Sequence, residues 1–191
     1  MDDDYFSIDS ILAENQKIQF TFREELPNLG SLLGGSECDV KVNSKVAIPL
    51  WLAYTVIYSN WADFTIPSPF TNRIRHALKA EARSVKLSNQ VGAGGLWYGF
   101  GRTIMNIVGD EQATDMSEMM TAAFHRRLPE IMDQGQHFAA LGPAGGSSGT
   151  GDPAQAFREG LDGTERELFS VMRASCRQTK EWYEEKNDQR R

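Results

Sequence analysis

The chain has 191 residues, 40% of them hydrophobic and 10% aromatic, which is enough to bury a real core and excludes disorder along its whole length. A formal net charge of -6 and an isoelectric point near 5.1 exclude a surface that is basic overall, the kind that holds DNA by releasing its counterions. The two cysteines, Cys38 and Cys176, make no disulfide framework and no Cys/His spacing suggests zinc, so a reducing compartment is expected.

The length allows one ordinary domain, or one domain with a small appended module. The opening Met1-Asp2-Asp3-Asp4 is opposite in charge to a signal-peptide n-region. The longest apolar run, residues 46–57, is interrupted by Pro49 and is too short to cross ~30 Å of hydrocarbon. No membrane association is expected.

The first third reads as short β-segments. Residues 5–9 alternate, and residues 17–22 alternate more cleanly, with Ile18, Phe20 and Phe22 on one face of a half-buried strand. Pro27, Gly30 and a Gly34-Gly35 turn punctuate the stretch after that strand. Residues 45–48 and 62–66 are two further candidate strands, and residues 50–58 between them read as a short helix.

From Pro67 the period becomes helical. Over residues 70–87, Ile74, Leu78, Ala82 and Val85 share one helix face. Gly92-Ala93-Gly94-Gly95 breaks the chain, and a second apolar segment spans residues 96–108. Asp115, three before Glu118, predicts an N-cap and capping box. The next helical face contains Met116, Met119, Met120, Ala123, Phe124, Leu128, Ile131 and Met132. Pro129 removes the amide that would bond the carbonyl of His125, which predicts a kink or an early end there.

Residues 142–151 have the composition of a flexible Gly/Ser linker and are expected to be disordered. Asp152-Pro153 then opens a last helix, with a cap followed by proline at its first position. Its apolar face is Phe157, Leu161, Leu168, Phe169, Met172, Cys176 and Tyr183. Gly160 and Gly163 each cost about 1 kcal/mol against alanine, so this helix is expected to depend on packing. A charged tail over residues 184–191 closes the chain. The resulting fold class is α+β, mainly α: a small N-terminal β-rich domain over residues 1–67, then a larger C-terminal helical bundle domain over residues 68–191.

Chemistry is sparse. His76, His125 and His137 lie at no metal-ligand spacing, no Gly-x-Ser-x-Gly elbow nominates a nucleophile, and Cys176 sits on an apolar helix face as an inert thiol. No catalytic, cofactor-binding or metal site is nominated, and no cofactor is expected. The Gly92 to Gly95 loop lacks the strand, the glycine spacing and the small flanking residues of a nucleotide site, and reads as an inter-helix connection. Arg75, Lys79, Arg83 and Lys86, spaced four, four and three, form a candidate basic surface. The alternatives for it are a stripe facing nucleic acid or an acidic partner, and a solvated helix face. Leu161, Leu168, Phe169, Met172, Met116, Met120 and Phe124 are candidates for the core or for a subunit interface.

Four segments carry a family likeness: Leu26-Pro27-Asn28-Leu29-Gly30, Ile48-Pro49-Leu50-Trp51-Leu52-Ala53, Leu96-Trp97-Tyr98-Gly99-Phe100-Gly101, and Leu161-Asp162 with Glu165, Leu168 and Phe169. In this order, after an opening Tyr5-Phe6-Ser7-Ile8-Asp9-Ser10-Ile11-Leu12, the chain resembles the Psf-three subunits of the eukaryotic GINS complex from about Tyr5 to Trp182. The resemblance implies a β-rich domain before a helical one, and assembly with three sister subunits (Psf-one, Psf-two and Sld-five) into a heterotetramer. It implies a non-catalytic role in the nucleus, beside the MCM helicase ring and the Cdc-forty-five protein, with indirect contact to DNA. The rival readings are a nucleotide-binding enzyme using the Gly92 to Gly95 loop and a DNA-binding protein using the Arg75 to Lys86 stripe.

Overall fold

The computed structural model describes residues 7–30, 39–92, 95–141 and 153–188. Its α+β, mainly helical architecture agrees with the expected class. Strand β1 (Lys17–Phe22) is central in a three-stranded antiparallel sheet between β2 (Lys45–Pro49) and β3 (Ala62–Phe64). The register sets Ile18 opposite Ile48, and Phe20 opposite both Val46 and Phe64. Period two then sends Ile18, Phe20 and Phe22 to one face, where all three are buried. Helix α2 (Leu50–Tyr58) comes directly after β2, as expected, and buries Leu50, Ala53 and Val56.

Helix α1 (Ile8–Glu14) corrects one expectation. Residues 8–14 are helical, whereas the short alternation over residues 5–9 suggests β structure; residues 5 and 6 lie outside the described residues. Alternation over five residues does not separate the two periods, and Ile8, Ile11 and Leu12 also fit the helical one. The Gly34-Gly35 turn, Cys38 and the 142–151 linker also lie outside the described residues.

A larger correction concerns residues 70–87. Helix α3 (Asn72–Ala80) stops at Glu81, which has extended backbone angles, and a turn carries the chain to a short 3-10 segment, Leu87–Asn89. Two consecutive arginines of another helix take the carbonyls that a longer α3 would have used itself. Arg126 donates to the carbonyls of Leu78 and Lys79 at 3.3 and 2.8 Å, and Arg127 to those of Ala82 and Val85 at 2.7 and 2.9 Å. The cation satisfies the open end of α3 and favours it electrostatically, so the helix has no reason to continue.

Helix α4 (Trp97–Met105) leads into α5 (Asp110–Leu141), and two expectations fail in α5. It begins at Asp110 rather than at an Asp115 cap; Asp115 lies a turn inside and pairs with Arg75. It also runs through Pro129 without ending. Pro129 and His125 are both exposed, so water can serve the freed carbonyl, while fully buried Arg127 and Ile131 anchor the helix on either side.

The single last helix is in fact two, α6 (Pro153–Glu159) and α7 (Gly163–Asp188). The break falls at Gly160, where a Cβ would lie 3.0 Å from the Cα of Lys86, and its carbonyl accepts from the amide of Leu87 at 2.9 Å. Glycine permits this close backbone approach. No described helix is long and apolar enough to cross a membrane.

One core runs from Ile18, Phe20 and Phe22 through Leu78, Trp97, Phe100 and Ile104 to Met116, Met120 and Ala123. A smaller cluster under α6 and α7 contains Ile131, Phe157 and Leu161, with Leu168 and Phe169 packed on it. Gly101 of α4 packs tightly against α5: a Cβ there would stand 2.6 Å from Met120 Sδ and 2.9 Å from the ring of Phe70. That ring is stacked on Trp97 at 5.2 Å and cannot move freely. Gly101→Ala is therefore expected to lower stability by about 1–3 kcal/mol through overpacking, read as a fall in the urea midpoint. An unchanged midpoint would mean that Met120 and the Phe70 ring both give way at no cost, against the overpacking reading.

Candidate functional site

The sequence segments with the most specific spacing meet at one buried polar centre. Asp162 and Glu165, four residues of the form Asp-Gly-Thr-Glu, start α7 with a capping box. Asp162 Oδ2 accepts from the Thr164 amide at 2.8 Å, and Glu165 Oε2 accepts in return from the Asp162 amide at 3.1 Å. The capping box expected at Asp115 and Glu118 thus occurs here instead. Asp162 Oδ1 also accepts from the amides of Trp97 and, at 3.4 Å, Tyr98, so one carboxylate caps both α4 and α7.

Glu165 and Arg127 are both wholly buried and pair through two bonds, Nε to Oε1 at 2.7 Å and Nη2 to Oε2 at 2.9 Å. The remaining guanidinium protons go to the carbonyls of Ala82 and Val85 and, at the 3.5 Å limit, Gly160. Every donor of the fork is placed. The Tyr98 hydroxyl donates to Glu165 Oε1 at 3.0 Å, and the guanidinium carbon lies 4.8 Å from the centre of the Phe157 ring.

Burial pushes the Tyr98 hydroxyl far above the ordinary phenol range, and the negative Glu165 beside it adds to the shift. Burial also raises the Asp162 carboxyl above the usual aspartate range, against the opposing effect of the amides of Thr164 and Trp97. The folded chain therefore holds that proton more tightly than the unfolded chain. Asp162 contributes less to stability as the pH rises through the window above its ordinary value. These groups are saturated by one another, so the arrangement orients helices and has no free acid, base or nucleophile to offer.

The candidate basic residues do not form one helical stripe, because α3 ends before Arg83 and Lys86. Arg75 pairs with Asp115 at 2.6 Å, Arg83 with Glu130 at 2.9 Å, and Lys86 with Glu159 at 3.6 Å. Lys79 is exposed on the last turn of α3. Of the apolar candidates, Met116, Met120 and Leu161 are buried, whereas Leu168, Phe169, Met172 and Phe124 are half-buried. At the described ends of the Gly92 to Gly95 loop Gly92 is exposed, with a Cβ there 2.8 Å from the Gln16 side chain, and Gly95 (φ +63°) is buried, with a Cβ there 2.9 Å from the backbone of Ser88. Sequence reasoning missed Arg127 altogether. Its only signal was an arginine next to Phe124 and Leu128 on an otherwise apolar helix face.

Glu165→Gln leaves the Arg127 cation buried without its counter-charge and is expected to cost about 3–5 kcal/mol in urea unfolding. A double-mutant cycle with Arg127→Met should show a coupling of about 1 kcal/mol or more. Strict additivity of the two substitutions would refute the linkage.

Comparison with known proteins gives a consistent answer. A family model described as the PSF3 N-terminal domain matches residues 6–57. The chain is 32% identical to the DNA replication complex GINS protein psf3 of Aspergillus fumigatus, over 93% of this chain and 95% of that protein. It is 30% identical to the protein of the same name from Schizosaccharomyces pombe, over 94% and 96%, and 26% identical to that of Mus musculus, over 95% and 81%. This end-to-end likeness to proteins of one description means that the chain belongs to the PSF3 family of GINS proteins.

Proposed function

We propose that this chain is a structural, non-catalytic subunit of a GINS assembly that acts in chromosomal DNA replication. The observation that carries this reading is the similarity along nearly the whole chain to relatives described as DNA replication complex GINS proteins. The buried centre supports it from another side. Arg127, Glu165, Asp162 and Tyr98 are used up in joining α3, α4, α5 and α7, which is work for a scaffold. In the cell the chain joins three sister subunits, Psf-one, Psf-two and Sld-five, in a nuclear heterotetramer. That assembly supports the MCM helicase together with the Cdc-forty-five protein through initiation and elongation. The chain's own division of labour is a β-rich part over residues 1–67 and a helical part over residues 68–191. All three described strands fall in the first part, beside α1 and α2, and α3 to α7 fall in the second, with one core continuous across both.

Contact with DNA is indirect. Three of the four candidate basic residues are engaged by carboxylates, and the net charge is -6, so these four residues do not make a free phosphate-binding stripe.

Co-expression with the three sister subunits, followed by native mass measurement, is expected to yield a four-chain particle with one copy of each. A monodisperse monomer that recovers none of them would overturn the proposal. The isolated chain is further expected to show no salt-dependent DNA binding and no thermal shift with ATP or NAD.

A further inference from the structure

Helix α6 sits on the buried polar centre and is lightly held there. It has seven residues, too few for a helix to be stable on its own, and Phe157 is its one buried residue. Pro153, Gln155, Ala156 and Glu159 are exposed. At its C-terminal end Ser88 Oγ donates to the Glu159 carbonyl at 2.9 Å, and Lys86 lies 3.6 Å from the Glu159 carboxylate. The Gly160 carbonyl accepts from the amides of Leu87 and Ser88 at 2.9 and 3.3 Å, and Arg158 donates to Gln134 at 3.3 Å. Directly beyond these contacts the chain is pinned: Leu161 is buried, and Asp162 caps α4 and α7.

What lies under α6 lowers the cost of lifting it. The Phe157 ring covers the Arg127 guanidinium at 4.8 Å, and Arg127 and Glu165 are both wholly buried. Uncovering Phe157 loses apolar burial, but it also returns water to a face of a buried charged pair. Arg127 gives up only its 3.5 Å contact with the Gly160 carbonyl, which water replaces. Its bonds to Glu165, Ala82 and Val85 do not involve α6 and stay in place.

We infer that residues 153–160 form a strap that lifts off as one unit, with α3, α4, α5 and α7 still folded, and that its position decides whether the polar centre is dry or wet. The pivot lies between Gly160 and the pinned pair Leu161 and Asp162. A contact that holds α6 down stiffens the joint of α3, α5 and α7, and one that lifts it lets water into that joint. The device reaches far along the chain, because the Leu87 and Ser88 amides lose their acceptor when Gly160 leaves. The inference does not depend on the subunit reading.

The test is residue-resolved hydrogen exchange on the full chain, co-purified with its sister subunits or alone, in rising urea below the unfolding midpoint. The amides of residues 157–160 and those of Leu87 and Ser88 are expected to share one protection, about a hundredfold or more below that of residues 119–127 in α5, with a shallow urea slope. Phe157→Ala is expected to lower that shared protection about tenfold or more. Gly101→Ala is expected to leave it unchanged while speeding exchange in α4 and α5, since its overpacking persists when only the strap lifts. Equal protection and equal urea slope in α6 and α5 would overturn the inference, because α6 would then open only in global unfolding. So would acceleration of the strap by Gly101→Ala to the same degree as α5, or unchanged exchange in Phe157→Ala. Fast exchange over residues 157–160 with Leu87 and Ser88 protected as well as α5 would mean a fraying helix end, which also refutes the strap.

Discussion

The tertiary structure hangs on a buried ion pair, Arg127 with Glu165, that has no access to water on either side. Bringing two such charges out of solvent is expensive, and their attraction repays it only where the remaining donors and acceptors are also filled. Here they are. Arg127 takes the carbonyls of the turn after α3, and Glu165 accepts from Tyr98 of α4 and the amide of Asp162. Asp162 in turn caps α4 and α7. Four segments separated along the chain thus meet through three charged side chains. A half-satisfied version would be worse than an apolar core, so the arrangement works as a whole or not at all.

This centre explains why apolar packing can be thin beneath α6 and α7. Ile131, Phe157 and Leu161 are the only buried members of that cluster among the described residues, and Leu168 and Phe169 are half-buried on it. Directional polar contacts fix the orientation that so few apolar contacts would leave loose. Helix α7 runs parallel to α5: Glu165 meets Arg127 and, seven residues on, Met172 meets the backbone at Gly135. Beyond Cys176 every described side chain of α7 is exposed, including Trp182 and Tyr183, so the helix projects from the body of the protein.

A scaffold subunit needs a rigid interior and surfaces that remain incomplete until assembly. The interior here is rigid through the Phe70, Trp97 and Phe100 ring contacts and the polar centre beside them. The open surfaces lie elsewhere, on α2 and on the projecting end of α7. The family's most specific segments fall into both classes. Trp97 is buried, its ring N–H donating to the Pro69 carbonyl at 3.2 Å, whereas Trp51 faces outward.

Local pattern alone determined β1, β2, α2, the helical character of the second half and the family likeness, because period and turn chemistry act within a few residues. It also placed Met116, Met120 and Leu161 among the candidates for burial. Only the tertiary structure decided the places where distant groups compete for backbone atoms. Arg126 and Arg127 end α3 by taking carbonyls some forty residues away, which no window of sequence reveals. Lys86 and Gly160 split the last helix by close approach, and burial on both sides carries α5 through Pro129. The Asp162 and Glu165 pattern was visible as part of a motif, but its meaning was not. A carboxylate becomes a double cap, and a glutamate the partner of a buried arginine, only once the fold has removed the water that would otherwise serve them.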